Sequence, residues 1–231
     1  MEGRELHFRL AGINNQNFIM QDRETGSWWQ QVSGAAILGP LKGKQLTRVF
    51  HDELTFQEWT REMPGGRVLA PAADSAGKLI RANWEERTAN APVRVHAALD
   101  ARLPPRTIIL GLELGGIAKA YPQERVLAQA PLHDRVGGVP LVLLVGTDGK
   151  SVRGFEARLD TLALELVRPA GGPPGEVVDL QTGSHWDFQG AAVSGPLKGR
   201  RLTRVYLLKD YWFDWKTYHP ATELYLLGTG G

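Results

Sequence analysis

Three side chains that could together cleave a bond fall within seven positions: Asp179, Ser184 and His185. A carboxylate, a hydroxyl and an imidazole are the parts of a nucleophile, its base and the group that orients the base. A hydrolase built on Asp179, Ser184 and His185 is therefore one expectation. Neighbours on an extended strand point to opposite faces, however, which opposes direct pairing of Ser184 with His185. The same turn occurs twice in the chain. Residues 22–29 read DRETGSWW and residues 179–186 read DLQTGSHW, identical at five of eight positions. Position 28 is Trp where the later turn has His185, an asymmetry through which one turn could carry chemistry the other lacks.

The turns support a second expectation, a site for a small polyol or carbohydrate. Asp22, Thr25, Ser27 and Trp28 in the first turn, with Asp179, Thr182, Ser184, His185 and Trp186 in the second, combine an acid, hydroxyls and ring faces. An exposed indole stacks on apolar sugar faces while polar groups fix orientation. A purely structural reading uses the same residues. Each Asp can accept from backbone N–H groups two or three positions on, and Gly26 and Gly183 supply positive φ. Trp29 and Trp186 then anchor a core.

Other constellations carry less. His133 and Asp134, joined by His51 or His96, could contribute to a metal site. Lys42 with Arg48, and Lys198 with Arg204, could bind an anion at the Gly-Pro-Leu-Lys-Gly loops. Gly149-Lys150-Ser151 resembles the end of a phosphate loop, but Leu144 stands where the first glycine is required, and an Asp-Gly hairpin turn explains the segment better. Nucleophile elbows, zinc helices, calcium loops and dinucleotide fingerprints do not occur. No cofactor is expected.

Composition narrows the field. Among 231 residues, 27 basic and 25 acidic side chains give a formal charge of +2, too little for a general nucleic-acid binder. Without cysteine there is no disulfide, thiol nucleophile or thiolate metal site. The longest apolar run, Val139 to Val145, falls far short of the roughly twenty residues of a membrane helix. A soluble protein, monomeric or homodimeric, with a small-molecule ligand as its partner is the expectation.

The turns belong to a longer repeat. GAAILGPLKGKQLTRV at 34–49 matches GAAVSGPLKGRRLTRV at 190–205 in twelve of sixteen positions, 156 residues on. The register continues through Phe56 and Trp212, Trp59 and Trp215, and Pro64 and Pro220. Six of the seven tryptophans lie in these stretches. A duplicated unit with pseudo-two-fold symmetry is the simplest source. Within each copy, strands are expected on either side of the Thr-Gly-Ser turn and at 46–50 and 202–208. Short helices are expected at 55–63 and 210–219, stopped by the prolines. Between the copies, 75–91 reads as a short helix or ordered loop. Residues 107–121 and 139–157 read as hairpins with Gly-Gly and Asp-Gly turns. The fold class is mainly β, or α+β, with antiparallel sheets and short helices. Residues 1–72 are expected to form a partial first unit, 73–105 a connection and 106–231 a complete second unit, packed with the first as one globular body.

Together, the two turn blocks, the Gly-Ile-Ala-Lys-Ala-Tyr-Pro run at 116–122 and His133-Asp134-Arg135-Val136-Gly137-Gly138 resemble the prokaryotic family of domain of unknown function 3179, over nearly the whole chain. The resemblance implies no activity. Members of that family are typically longer and often carry export signals, which implies an extracytoplasmic setting. Their N-terminal half usually holds a second Ala-Tyr-Pro segment and a Cys-Pro-Leu-Cys-like stretch, which this sequence lacks, so it resembles a shortened member.

Overall fold

The computed structural model describes residues 3, 5–70, 83–96 and 98–226. The first meander contains β1 (Phe8–Asn14), β2 (Asn17–Asp22), β3 (Trp28–Gln30) and β4 (Ala36–Leu38), paired antiparallel in chain order. Its interior is small: Ile19, Trp29 and Ala36 are buried. Residues 39–55 then cross the molecule without regular structure to α1 (Phe56–Glu62). The Thr55 hydroxyl caps this helix by accepting from the Glu58 N–H.

After α2 (Trp84–Ala89) come the hairpin β5 (Ile108–Leu114) and β6 (Ile117–Pro122), then α3 (Gln123–Gln129). A second meander follows in β7 (Leu132–Val136), β8 (Val139–Val145) and β9 (Val152–Glu156). The pair β10 (Arg158–Leu159) and β11 (Leu162–Ala163) leads to β12 (Leu166–Val167), β13 (Val177–Asp179), β14 (His185–Trp186) and β15 (Ala192–Ser194). The chain ends with β16 (Arg204–Val205), β17 (Leu208–Tyr211), α4 (Trp212–Tyr218) and β18 (Glu223–Leu224).

Two four-stranded sheets, ordered β17-β5-β6-β18 and β16-β9-β8-β7, hold the centre. Among the described residues only β18 runs parallel to its neighbour, β6; the other pairings are antiparallel, and the protein is mainly β with short helices. Alternation along β5 decides what each face buries. Leu110 and Leu112 join Tyr121, Leu141, Leu143 and Val126 between the two sheets. Ile109 faces the other way, onto Trp212 and Trp215 of α4. Gly111 lies beneath the Trp215 ring, where a Cβ would fall 2.4 Å from its carbons, so glycine is required for that ring to lie flat on the sheet. A third cluster packs Trp186, Phe188 and Leu166 against Val142, Leu144 and Phe155.

Several expectations need correcting. Residues 46–50 are not a strand, because among the described residues no strand pairs with them. The stretch 202–208 is divided into β16 and the start of β17, each pairing with a different sheet. β1 and α3 were not anticipated. Of the 75–91 segment, α2 is helical and the residues before 83 lie outside those described.

Candidate functional site

Both Thr-Gly-Ser turns close in the same way. The Asp22 N–H donates to Ser27 O at 3.0 Å and the Gly26 N–H to Asp22 O at 3.1 Å; Asp179, Ser184 and Gly183 repeat this at 3.0 and 2.9 Å. Gly26 and Gly183 have φ of 72° and 71°, the left-handed region a side chain resists. Inside the turn, the Asp22 carboxylate accepts from the Thr25 N–H at 2.6 Å, the Thr25 hydroxyl at 2.8 Å and the Trp29 indole at 2.7 Å. Asp179 accepts from the Thr182 N–H at 2.6 Å, its hydroxyl at 3.0 Å and the Trp186 indole at 2.9 Å.

These bonds fix the direction of every hydroxyl proton. A carboxylate only accepts, so each Thr hydroxyl donates to its Asp. The Ser27 and Ser184 hydroxyls, 2.7 Å from the Thr oxygens, therefore donate to them. Each Ser oxygen in turn accepts from the N–H of Leu41 (3.0 Å) or Leu197 (2.9 Å) in the Gly-Pro-Leu-Lys-Gly loop. That loop approaches so closely that a Cβ on Gly39 or Gly195 would lie 2.8 or 2.6 Å from the Ser Cα. Ser27 and Ser184 are 0% exposed, and no hydroxyl proton is left for a ligand or an attack. Burial opposes ionisation of Asp22 and Asp179, but the indole and threonine bonds outweigh it and hold both carboxyls below their ordinary range. The arrangement can bend a chain and lock a buried indole.

The asymmetric position behaves differently. The His185 ring faces outward, 40% exposed, with Nδ1 2.5 Å from Glu176 Oε1. Among the described residues no hydroxyl is hydrogen-bonded to His185, and Ser184 and Asp179 are engaged on the other side of the strand. Trp28 is half-buried opposite Gln21 and Leu38. A cavity of about 480 Å³ does border the second turn, walled by Glu176, Trp186, Phe188 and Glu58, but of the nominated residues only Trp186 reaches it.

His133 and Asp134 alternate across β7. His133 Nε2 meets the Leu166 backbone at 2.9–3.1 Å, while Asp134 accepts from the Tyr121 hydroxyl at 2.6 Å and pairs with Lys119 at 2.7 Å. They do not converge, and no group of three His, Asp or Glu side chains is placed to hold a metal among the described residues.

A cavity of about 550 Å³ lies elsewhere, between the irregular segment 50–55 and the strands β9, β16 and β17. Its wall is an ionic network. Arg153, 5% exposed, pairs with Asp52 at 2.7 Å and Glu62 at 2.5 Å and lies 4.6 Å over the Phe188 ring. Asp52 also pairs with Arg204, and Lys209 with Glu53 at 2.6 Å. Burial works against Asp52, but Arg153 and Arg204 more than offset it and depress its pKa. Below them, Asp148 accepts from the Thr55 hydroxyl at 2.5 Å and the Ser151 hydroxyl at 2.6 Å; these bonds overcome burial and bring it to about 2. Two polar atoms of lining residues are buried and unsatisfied, the donor Nε of Arg204 and the acceptor Oε1 of Gln123.

Of the residues around this cavity the sequence marks Arg204 as an anion ligand, His51 as a metal candidate and Lys150-Ser151 as part of a phosphate-loop-like segment better explained by a hairpin turn. Arg153 is legible as a charge set between the apolar residues Val152 and Phe155 of β9; Asp52 and Gln123 carry no signal. No helix among the described residues is long and apolar enough to cross a membrane. No curated protein and no solved structure matches the chain. The model of the family described as protein of unknown function DUF3179 matches residues 1–222, and the chain belongs to that family.

Proposed function

We propose that the chain is a binding protein for a neutral, hydroxyl-rich small molecule of the polyol or carbohydrate class, held in the 550 Å³ cavity and not at the turns. Cavities of this size, with a few convergent polar groups, are the usual form of a small-ligand site. The observation that carries the reading is that two residues lining it, Arg204 and Gln123, each hold a buried polar atom without a partner. A buried polar atom without a partner costs about 1–3 kcal/mol, so a ligand that satisfies it gains that much. Arg204 Nε needs an acceptor and Gln123 Oε1 a donor; a hydroxyl group is both.

Charge supports neutrality. Asp52, Glu53 and Glu85 line the cavity beside Lys150, Arg153, Arg204 and Lys209, and the Arg153 charge is shared with Glu62. An anion or a cation would face both signs at close range. Calorimetric titration of a panel of neutral monosaccharides and polyols, with a dicarboxylate and a diamine as controls, tests the proposal. Binding of a neutral member that falls about tenfold in Gln123→Met, with melting unchanged or raised by loss of the unsatisfied acceptor, is the expected result. Binding confined to the charged controls, or indifferent to Gln123→Met, would overturn it. The hydrolase reading has no comparable support, since among the described residues the serine hydroxyls bond only to Thr25 or Thr182 and to the Leu41 or Leu197 N–H, and not to a base.

A further inference from the structure

A second cavity, of about 330 Å³, lies between the first meander and the central sheets. Gln30, Val32, Ser33 and Arg48 line one side of it, and β5, β17 and α4 line the other. The repeat places one cation of each copy in different company. Arg204 pairs with Asp52. Arg48, its counterpart, meets no carboxylate and donates to no acceptor among the described residues. Its guanidinium is nonetheless held, 4.8 Å from the centroid of the Tyr206 ring that it covers. Stacking fixes the plane of a guanidinium and leaves its edge, which carries the N–H groups, uncommitted. Such a planar fork matches a carboxylate, which accepts two parallel N–H bonds. The neighbouring groups add a donor and withhold an acceptor. Gln30 Oε1 is occupied by the Ser33 hydroxyl at 2.6 Å, so the Gln30 NH₂ is left to donate. Glu113, the one acid among the described lining residues, is engaged by His219 Nε2 at 2.6 Å.

We infer that this cavity is a second ligand site, for a small monocarboxylate with an apolar body. The Arg48 fork takes the carboxylate, the Gln30 amide supplies a further donor, and Val32 and Leu208 supply apolar wall. One unpaired cation suits one negative charge, whereas a phosphate dianion would bring a second charge into a cavity that already holds Glu113. The volume stands at the lower end of the roughly 300–1,000 Å³ of small-molecule sites, which limits the body to about a single ring. Of the pair Lys42 and Arg48, nominated together from the sequence as anion ligands, Arg48 alone lines the cavity. Arg48 does not line the 550 Å³ cavity, so failure of either reading leaves the other standing.

Benzoate is the probe, titrated onto the full chain by calorimetry, with benzamide as its uncharged isostere and inorganic phosphate as the competing anion. Saturable binding of one benzoate, with benzamide and phosphate at least about tenfold weaker, is the expected result. Arg48→Met, at an exposed position, should weaken benzoate about tenfold or more while circular dichroism shows the fold intact. Arg48→Lys should restore only part of the affinity, because an ammonium has no fork. Lys42→Met, which removes the other nominated cation, should leave binding unchanged. Absence of saturable benzoate binding, binding that survives Arg48→Met, or benzamide bound as tightly as benzoate would overturn the inference. Phosphate bound more tightly than benzoate would also overturn it, in favour of a phosphate site.

Discussion

Asp179→Asn is the sharpest perturbation of the turn network. Its Oδ2 accepts both the Trp186 indole and the Thr182 hydroxyl, while Oδ1 accepts the Thr182 N–H. An amide has one acceptor oxygen, so whichever way it is turned its NH₂ faces donors. If the oxygen keeps the Thr182 N–H, the indole of the fully buried Trp186 is left without a partner. An unsatisfied buried donor costs about 1–3 kcal/mol, and a bond to a charged group is itself worth about 1.5–3 kcal/mol, so a loss of about 3–4 kcal/mol is expected near neutral pH. The pH dependence has a definite sign. The folded carboxyl titrates below the ordinary 3.8, so its stabilisation is present above that value and is lost as pH falls through the folded pKa. Asn has no such titration, and the difference between the two proteins should shrink below about pH 4. Urea unfolding at pH 7 and at successively lower pH, with matched m-values, measures this. A midpoint unchanged to within about 0.5 kcal/mol at pH 7, or a deficit that persists undiminished in acid, would refute the structural assignment of the turn.

Asp22→Asn should behave as Asp179→Asn does, because the same three donors converge on it; a stability difference between the two variants of less than twofold is the expectation from parallel melts. Asp210 and Asp214 give a pH effect of opposite sign. Burial and the neighbouring Asp214 carboxylate push Asp210 up to about 8, and burial also raises Asp214, so stability should fall as pH rises from about 4 towards 8. Asp210→Asn should flatten that decline, as read by denaturation at pH 5, 7 and 9. Gly111→Ala places a methyl group against the Trp215 ring and should cost about 1–3 kcal/mol with a shift in tryptophan fluorescence. Arg153→Met removes the cation shared by Asp52 and Glu62 and should destabilise by about 3–5 kcal/mol, whereas Arg153→Lys should recover only part, lacking the planar fork that reaches both.

Local chemistry was readable from the chain alone. The residues Asp-x-x-Thr-Gly-Ser, followed by a strand Trp, specify their own hydrogen bonds within eight positions, since donor, acceptor and glycine are all close in sequence. Period-two patterns and Gly-Gly or Asp-Gly pairs likewise marked the hairpins β5–β6 and β8–β9, because a short turn sets register without help from distant residues. Distant pairing was not readable. The identical sequences 46–49 and 202–205 are irregular in one place and strand-bearing in the other, because a strand exists only where a second strand takes its hydrogen bonds. The ionic cavity is likewise a product of tertiary structure. Asp52, Arg153 and Arg204 are separated by 101 and 51 residues in sequence, and their charges meet only after β9 and β16 have paired and the 50–55 segment has been drawn across them. The sequence determined which turns form and which rings they bury; folding alone decided which charges would share a cavity and which apolar residues would be left uncovered.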